Sequence, residues 1–173
     1  MGNLNGKRAA ILVEDLYQEL EVWYPLLRMR EEGIIVNVLG TGKKNYKSKL
    51  GYDIIVDGEV LESEGPKYDA VIIPGGYAPD ILRRYDRVNI FVKNAFDSGK
   101  IISSICHGLW VCASAGILKG KTATCFFAIK DDVINAGAKY VDQEVCVDGR
   151  LVTSRKPEDL PAFMKETLKL LNC

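Results

Sequence analysis

Along the chain, short runs of apolar residues alternate with longer stretches in which apolar positions recur every three or four residues. The first run, residues 8–13 (RAAILV), predicts a strand buried on both faces. Residues 18–32 place Leu20, Trp23, Leu26, Leu27 and Met29 at helical spacing, and Gly33 marks the stop. Pro25 suits only an early helical turn, which sets the expected helix start near Val22. A second apolar run at 34–39 (IIVNVL) completes a strand–helix–strand unit, which implies a parallel pair. The lysine-rich segment 41–49 reads as a solvated connection. Residues 54–60, with Asp57-Gly58 as a turn, read as a small antiparallel piece.

The alternation continues to the end. Residues 70–73 (AVII) predict a buried strand that ends at Pro74-Gly75-Gly76, and helices succeed it at 79–85 and 88–98, the latter stopped by Gly99. The strand at 101–105 (IISSI) runs directly into Cys106-His107-Gly108 and a helix over 109–115. A short strand at 123–125, a helix at 129–136 closed by Gly137, a hairpin of 145–148 and 151–153 across Gly149-Arg150, and a terminal amphipathic helix at 160–171 complete the pattern. Pro161 lies in the first turn of that last helix. No repeat, low-complexity tract or linker interrupts the series, so one domain over residues 1–173 is expected: an α/β sandwich around a mostly parallel sheet.

Composition narrows the chemistry. With 173 residues, 47% of them hydrophobic, the chain is long enough to bury a real core. Lys+Arg and Asp+Glu both total 23, so no net field exists to gather phosphate backbones, and charge-driven nucleic-acid binding is not expected. Neutrality also leaves little repulsion to oppose self-association. The one histidine, His107, rules out a zinc site of two or three imidazoles within a chain; neither metal nor cofactor is expected. Five cysteines with no CxxC pair fit reduced thiols. The start MGNLNGKRAA has no apolar leader, Gly6 stands where a myristoylation signal wants Ser or Thr, and the apolar runs are too short for a bilayer, so a cytoplasmic chain with no membrane partner is expected.

In open parallel sheets, ligands bind beyond the carboxyl ends of the strands. Three segments leave those ends with unusual chemistry: Glu14-Asp15 with Glu19 and Glu21, Pro74-Gly75-Gly76, and Cys106-His107-Gly108. A cysteine on a tight strand-to-helix turn is forced outward, and a helix amino end favours its thiolate. Cys112, Cys125 and Cys146 lack that setting and read as small buried residues. Adjacent helical residues do not face each other, so His107 is not automatically a base for Cys106. The side-chain-free Gly75 and Gly76 leave backbone amides open to a substrate oxygen, and with the His107 amide they would form an oxyanion hole. Four acids at the first strand exit repel phosphate, and GxGxxG and GxxxxGK[ST] are absent, so nucleotide binding is unsupported. An acid beside a thiolate helps only when protonated, donating to the sulfur. Three of the four acids read as a solvated helix start.

Residues 104–108 (SICHG), 113–120 (ASAGILKG) and 129–137 (IKDDVINAG), with Pro74-Gly75-Gly76, Ala78-Pro79, Asp148-Gly149 and Thr153-Ser154-Arg155, occur in an order that resembles the DJ-1/PfpI family over essentially the whole chain. The PfpI-like intracellular protease branch is the nearest. The resemblance implies a flavodoxin-like three-layer sandwich with the cysteine on a nucleophile elbow. It implies that the acid four residues before a helix proline, here Glu21 before Pro25, hydrogen-bonds Cys106. It also implies that an acid from a neighbouring subunit joins the histidine. That acid falls at Asp80, where relatives usually carry Glu, and the shorter side chain reaches less far. The family's Gly-Gly-Arg is Gly75-Gly76-Tyr77 here, and its pocket tyrosine aligns with Phe126; both changes remove polar groups that could steer substrate.

Members of the family are described as peptidases or amidases, glutathione-independent glyoxalases and deglycases, and others as oxidative-stress sensors or chaperones. The resemblance therefore implies a cysteine-dependent enzyme on carbonyl compounds, with Cys106 as nucleophile, Glu21 holding the thiolate, His107 as acid/base or orienting group, and the amides of Gly76 and His107 on the oxyanion. A small dicarbonyl or short peptide end is expected in an apolar pocket, and self-association as dimer, trimer or hexamer. The alternative is a non-enzymatic sensor that uses the same oxidisable cysteine.

Overall fold

Seven strands hydrogen-bond into one sheet, and two short pairs lie beside it, in the computed structural model, which describes residues 4–173. In chain order the strands are β1 (Arg8–Leu12), β2 (Ile35–Gly40), β3 (Asn45–Lys47), β4 (Asp53–Ile55), β5 (Gly58–Glu59), β6 (Ala70–Ile73), β7 (Ile101–Ile105), β8 (Thr122–Ala123), β9 (Lys139–Tyr140), β10 (Val145–Asp148) and β11 (Leu151–Ser154). The α-helices are α1 (Glu19–Glu31), α2 (Ala78–Leu82), α3 (Asp86–Asp97), α4 (Leu109–Ser114), α5 (Lys130–Asn135) and α6 (Leu160–Leu171). The sheet order is β10-β11-β7-β6-β1-β2-β5, parallel throughout except for the β10–β11 hairpin.

The strands are apolar runs rather than alternations because helices cover both faces. Ala9 and Ile11 of β1 and Ile72 of β6 point into one core with Val22, Leu26 and Met29 of α1 and Phe163 and Met164 of α6. Their neighbours Ala10, Leu12, Val71 and Ile73 point into the other, against Phe91 and Val92 of α3 and Leu109 and Val111 of α4. The period of two along each strand thus feeds two separate cores, which gives the three-layer flavodoxin-like sandwich.

The local differences from the sequence reading have physical causes. Helix α1 starts at Glu19, not near Val22, because the Gln18 side chain accepts the Glu21 N–H at 3.1 Å and caps the end. Pro25 therefore lies inside the helix, buried with Val22, Leu26 and Met29, and that burial offsets the hydrogen bond proline cannot donate. Asp57-Gly58 is not a hairpin turn. The Asp57 carboxylate accepts the Val38 N–H at 2.7 Å, and β5 extends the main sheet parallel to β2. The antiparallel partner of β4 is β3, inside the segment read as a solvated connection. Tyr46 of β3 is fully buried, its hydroxyl accepting the amides of Thr41 and Lys43 at 2.7 and 2.9 Å. Among the described residues no helix is long and apolar enough to cross a membrane.

Candidate active site

The three chemistry-bearing exits meet because β1, β6 and β7 are neighbours running in parallel, so their carboxyl ends open on one rim. Cys106 leaves β7 with a φ of +62°, a left-handed conformation that costs a non-glycine residue on the order of 1 kcal/mol or more. A single 3-10 turn, Cys106–Gly108, connects it to the short α4. Leu16, at the exit of β1, is the other non-glycine residue with positive φ among those described. Its carbonyl accepts the Tyr77 N–H at 2.9 Å, and Tyr17 bridges Gly76, so the β1 exit holds the Gly75-Gly76 turn in place.

The left-handed turn also decides where His107 points. The helical argument keeps neighbouring side chains apart, but Cys106 is not helical, and its Sγ lies 3.3 Å from His107 Nδ1. The imidazole is held between Trp110, at 5.1 Å between ring centroids, and Phe126, at 4.9 Å. Burial and the nearby Lys49 charge lower its pKa, so the ring is neutral at physiological pH.

Glu21 is fully buried on α1 and reaches the same point. Its Oε2 accepts the Gly75 N–H at 2.6 Å, its carboxyl contacts the Cys106 thiol, and its Oε1 has no hydrogen-bond partner among the described residues. Gly75 is required here: a Cβ at that position would stand 2.6 Å from Glu21 Oε2 and 2.7 Å from Cys106 Cβ. At Gly76, with φ of +78°, a Cβ would meet the Leu16 carbonyl at 2.4 Å. The Gly75 amide is thus engaged by Glu21, while the amides of Gly76 and His107 are directed at the sulfur itself.

Electrostatics at the sulfur oppose one another. Burial raises Glu21 to about 7, against the Gly75 hydrogen bond. Burial and then the Glu21 carboxylate push the Cys106 thiol up to about 12, while the His107 and Gly76 amides pull it back. Two groups this close titrate as a pair, and the pair releases its first proton at about 7.

The site opens into a cavity of about 250 Å³ bordered by Gly76, Tyr77, Cys106, His107 and Phe126. The pocket is more polar than the sequence suggests. Gln18, Lys49 and Lys156 also border it, none of them singled out by the sequence reading. Lys49 belongs to the segment read as a solvated connection, and Lys156 carries no local signal. Asp80 is not part of this cavity. It is half-exposed on α2 and pairs with Arg84 of its own chain. The remaining acids at the first strand exit are not merely solvated: Glu14 is buried against the Thr41 hydroxyl, Asp15 pairs with Lys43 at 2.6 Å, and Glu19 accepts the Leu50 N–H at 2.7 Å. Cys112, Cys125 and Cys146 are buried free thiols, as expected, and Cys173 is exposed.

A parallel three-layer sandwich whose cysteine sits on a left-handed strand-to-helix turn, faced by a buried acid from the first helix, defines the cysteine-elbow class of α/β proteins. Within it, the DJ-1/PfpI family matches residues 7–170, and the chain belongs to that family. It is similar to a deglycase of Thermococcus kodakarensis, with 43% identity over 164 residues that cover 95% of this chain and 99% of the relative. It is also similar to a protein/nucleic acid deglycase of Escherichia coli, with 38% identity over 95% of this chain and 98% of that protein. Among solved structures, a two-domain protein of Anabaena variabilis with DJ-1/ThiJ/PfpI-like and ferritin-like domains superposes with a TM-score of 0.92 at 41% identity. That match covers 95% of this chain and 48% of the Anabaena protein, so the chain spans about half its length.

Proposed function

We propose that the chain is a cysteine-dependent enzyme acting on small carbonyl compounds and their adducts, as a deglycase or glutathione-independent glyoxalase. One observation carries the reading: a strained cysteine, a buried acid that titrates at about 7, a neutral imidazole 3.3 Å from the sulfur and two backbone amides meet in one small cavity. The names of the Thermococcus and Escherichia relatives as deglycases support the same chemistry.

In this reading Glu21 takes the thiol proton as the Cys106 sulfur adds to an aldehyde carbon, the C–S bond forms as the carbonyl π bond breaks, and Glu21 passes that proton to the oxygen as it gains negative charge. The Gly76 and His107 amides that hold the resting sulfur are the nearest donors to that oxygen. With a dicarbonyl substrate, neutral His107 accepts the proton from the sulfur-bearing carbon and returns it to the adjacent carbonyl carbon, while Glu21 carries the hydroxyl proton from the first oxygen to the second, leaving a thioester. Water then releases the hydroxy acid and restores the thiol. One water is consumed, and no external oxidant or reductant is needed. A cavity of about 250 Å³ fits a three-carbon dicarbonyl or a short peptide end and excludes a folded protein. Asp80 of a second copy is proposed to orient His107, as its pairing with Arg84 leaves it at the surface of its own chain.

The test is conversion of methylglyoxal to lactate, and of methylglyoxal–thiol adducts to free thiol, measured beside aminoacyl reporters. Wild type turns over the carbonyl substrates and Cys106→Ser does not. Equal rates in the two proteins would overturn the proposal.

A further inference from the structure

The two lysines at the mouth of the cavity have no counterpart in the mechanism. Lys49 comes after the short β3 and Lys156 after β11, so two separate elements bring ammonium groups to the same opening. Neither pairs with a carboxylate among the described residues, as is true of seven other lysines; what sets these two apart is that both border the cavity. Lys49 is exposed at the rim of the cavity, and its charge reaches both Glu21 and His107. The opposing charge nearby is Glu158, exposed, whose field reaches Glu21. Glu21 itself lies behind the sulfur and is occupied by the Gly75 amide. An anion entering the cavity thus meets two unpaired cations before it meets the acid.

We propose that Lys49 and Lys156 form a carboxylate-recognition pair that selects carbonyl compounds bearing a carboxylate at or next to the electrophilic carbon. The inference rests on the carbonyl chemistry proposed for Cys106, but its test does not require turnover. Iodoacetate and iodoacetamide both alkylate a thiolate at the carbon next to their carbonyl group. The C–S bond forms, the C–I bond breaks and iodide leaves. They differ in that one carries a carboxylate and the other a neutral amide. The ratio of their rates at Cys106, read on the Cys106 peptide by mass spectrometry, cancels the ionisation of the sulfur and isolates charge recognition.

The expected result at low salt is a ratio well above that of 2-mercaptoethanol. Lys49→Met and Lys156→Met should each lower it by about two- to fivefold, and high salt should lower it in wild type. Both side chains are exposed, so the variants fold, and an unchanged iodoacetamide rate at saturating ionisation verifies an intact site. A wild-type ratio equal to that of the small thiol overturns the proposal, as does a raised ratio that survives both substitutions. If the ratio behaves as expected while methylglyoxal is not consumed, the recognition pair stands and the enzymatic reading falls. If methylglyoxal is consumed and the ratio is flat, the reverse holds.

Discussion

Cys106 and Cys112 lie six positions apart at the same end of the sheet, and burial pushes both thiols up to about 12. Burial alone therefore says nothing about reactivity. Cys112 sits inside α4, packed in the core beside the Ser104 hydroxyl, with no acid near it and no opening to solvent. Cys106 stands one turn earlier on a left-handed residue, 7% exposed, with an acid, an imidazole and two amides around it. What separates the thiols is the supply of protons and donors at the sulfur and a path in from solvent. The first thiol is held in strain where the second relaxes into a helix, a cost the fold bears at the position where chemistry is expected.

The largest effect on this contrast should come from Gly75→Ala. Its Cβ would wedge between the Glu21 carboxylate and Cys106, separating the two groups that distinguish Cys106 from Cys112. Turnover of carbonyl substrates should fall by about a hundredfold or more, with a lower Tm, since displacement on the order of an ångström suffices for such a loss. Wild-type activity in this variant would mean that the Glu21–Cys106 contact is dispensable.

Glu21→Gln tests the acid by linkage. Glu21 is raised in the folded state, so its stabilising contribution is complete below about 4.5 and is lost as pH rises through about 7. A rise of that size corresponds to roughly 3 kcal/mol, at about 1.4 kcal/mol per tenfold change in proton affinity. Relative to Glu21→Gln, wild type should lose about that much stability between these two pH values in denaturant titrations. Parallel pH profiles would show that Glu21 is not buried against the sulfur as described.

The smallest change is expected at the comparison thiol. Cys112→Ala should cost about 1 kcal/mol of stability through lost packing and leave kcat/KM within about twofold of wild type. A large loss of activity there would erase the distinction between the two cysteines.

Much of this arrangement is legible in the sequence, for definable reasons. The strands are clear because a sheet covered on both faces demands apolar runs, and the elbow is clear because a strand passes without a linker into Cys106-His107-Gly108. Glu21 cannot be picked from four neighbouring acids by composition; family resemblance selects it, and its distinguishing contact, the Gly75 amide, crosses fifty-four positions of sequence. The approach of His107 to the sulfur is hidden because it depends on one φ angle, at a residue type that rarely adopts it. Lys49 and Lys156 are invisible for a similar reason: nothing local marks a surface lysine whose neighbour is a cavity contributed by other elements.

The proposed chemistry requires Glu21, which gives up its proton at about 7, to take the proton of a Cys106 thiol that burial pushes up to about 12. Thiolate ultraviolet absorbance across a pH titration, taken as the difference between wild type and Cys106→Ser, tests that order of ionisation most directly. The expected result is no thiolate step through about 7, where the pair gives up the Glu21 proton, and ionisation of the sulfur only well above the range of an ordinary thiol. A thiolate step with its midpoint near 7 would show that the first proton leaves the sulfur rather than Glu21 and would contradict this order of ionisation.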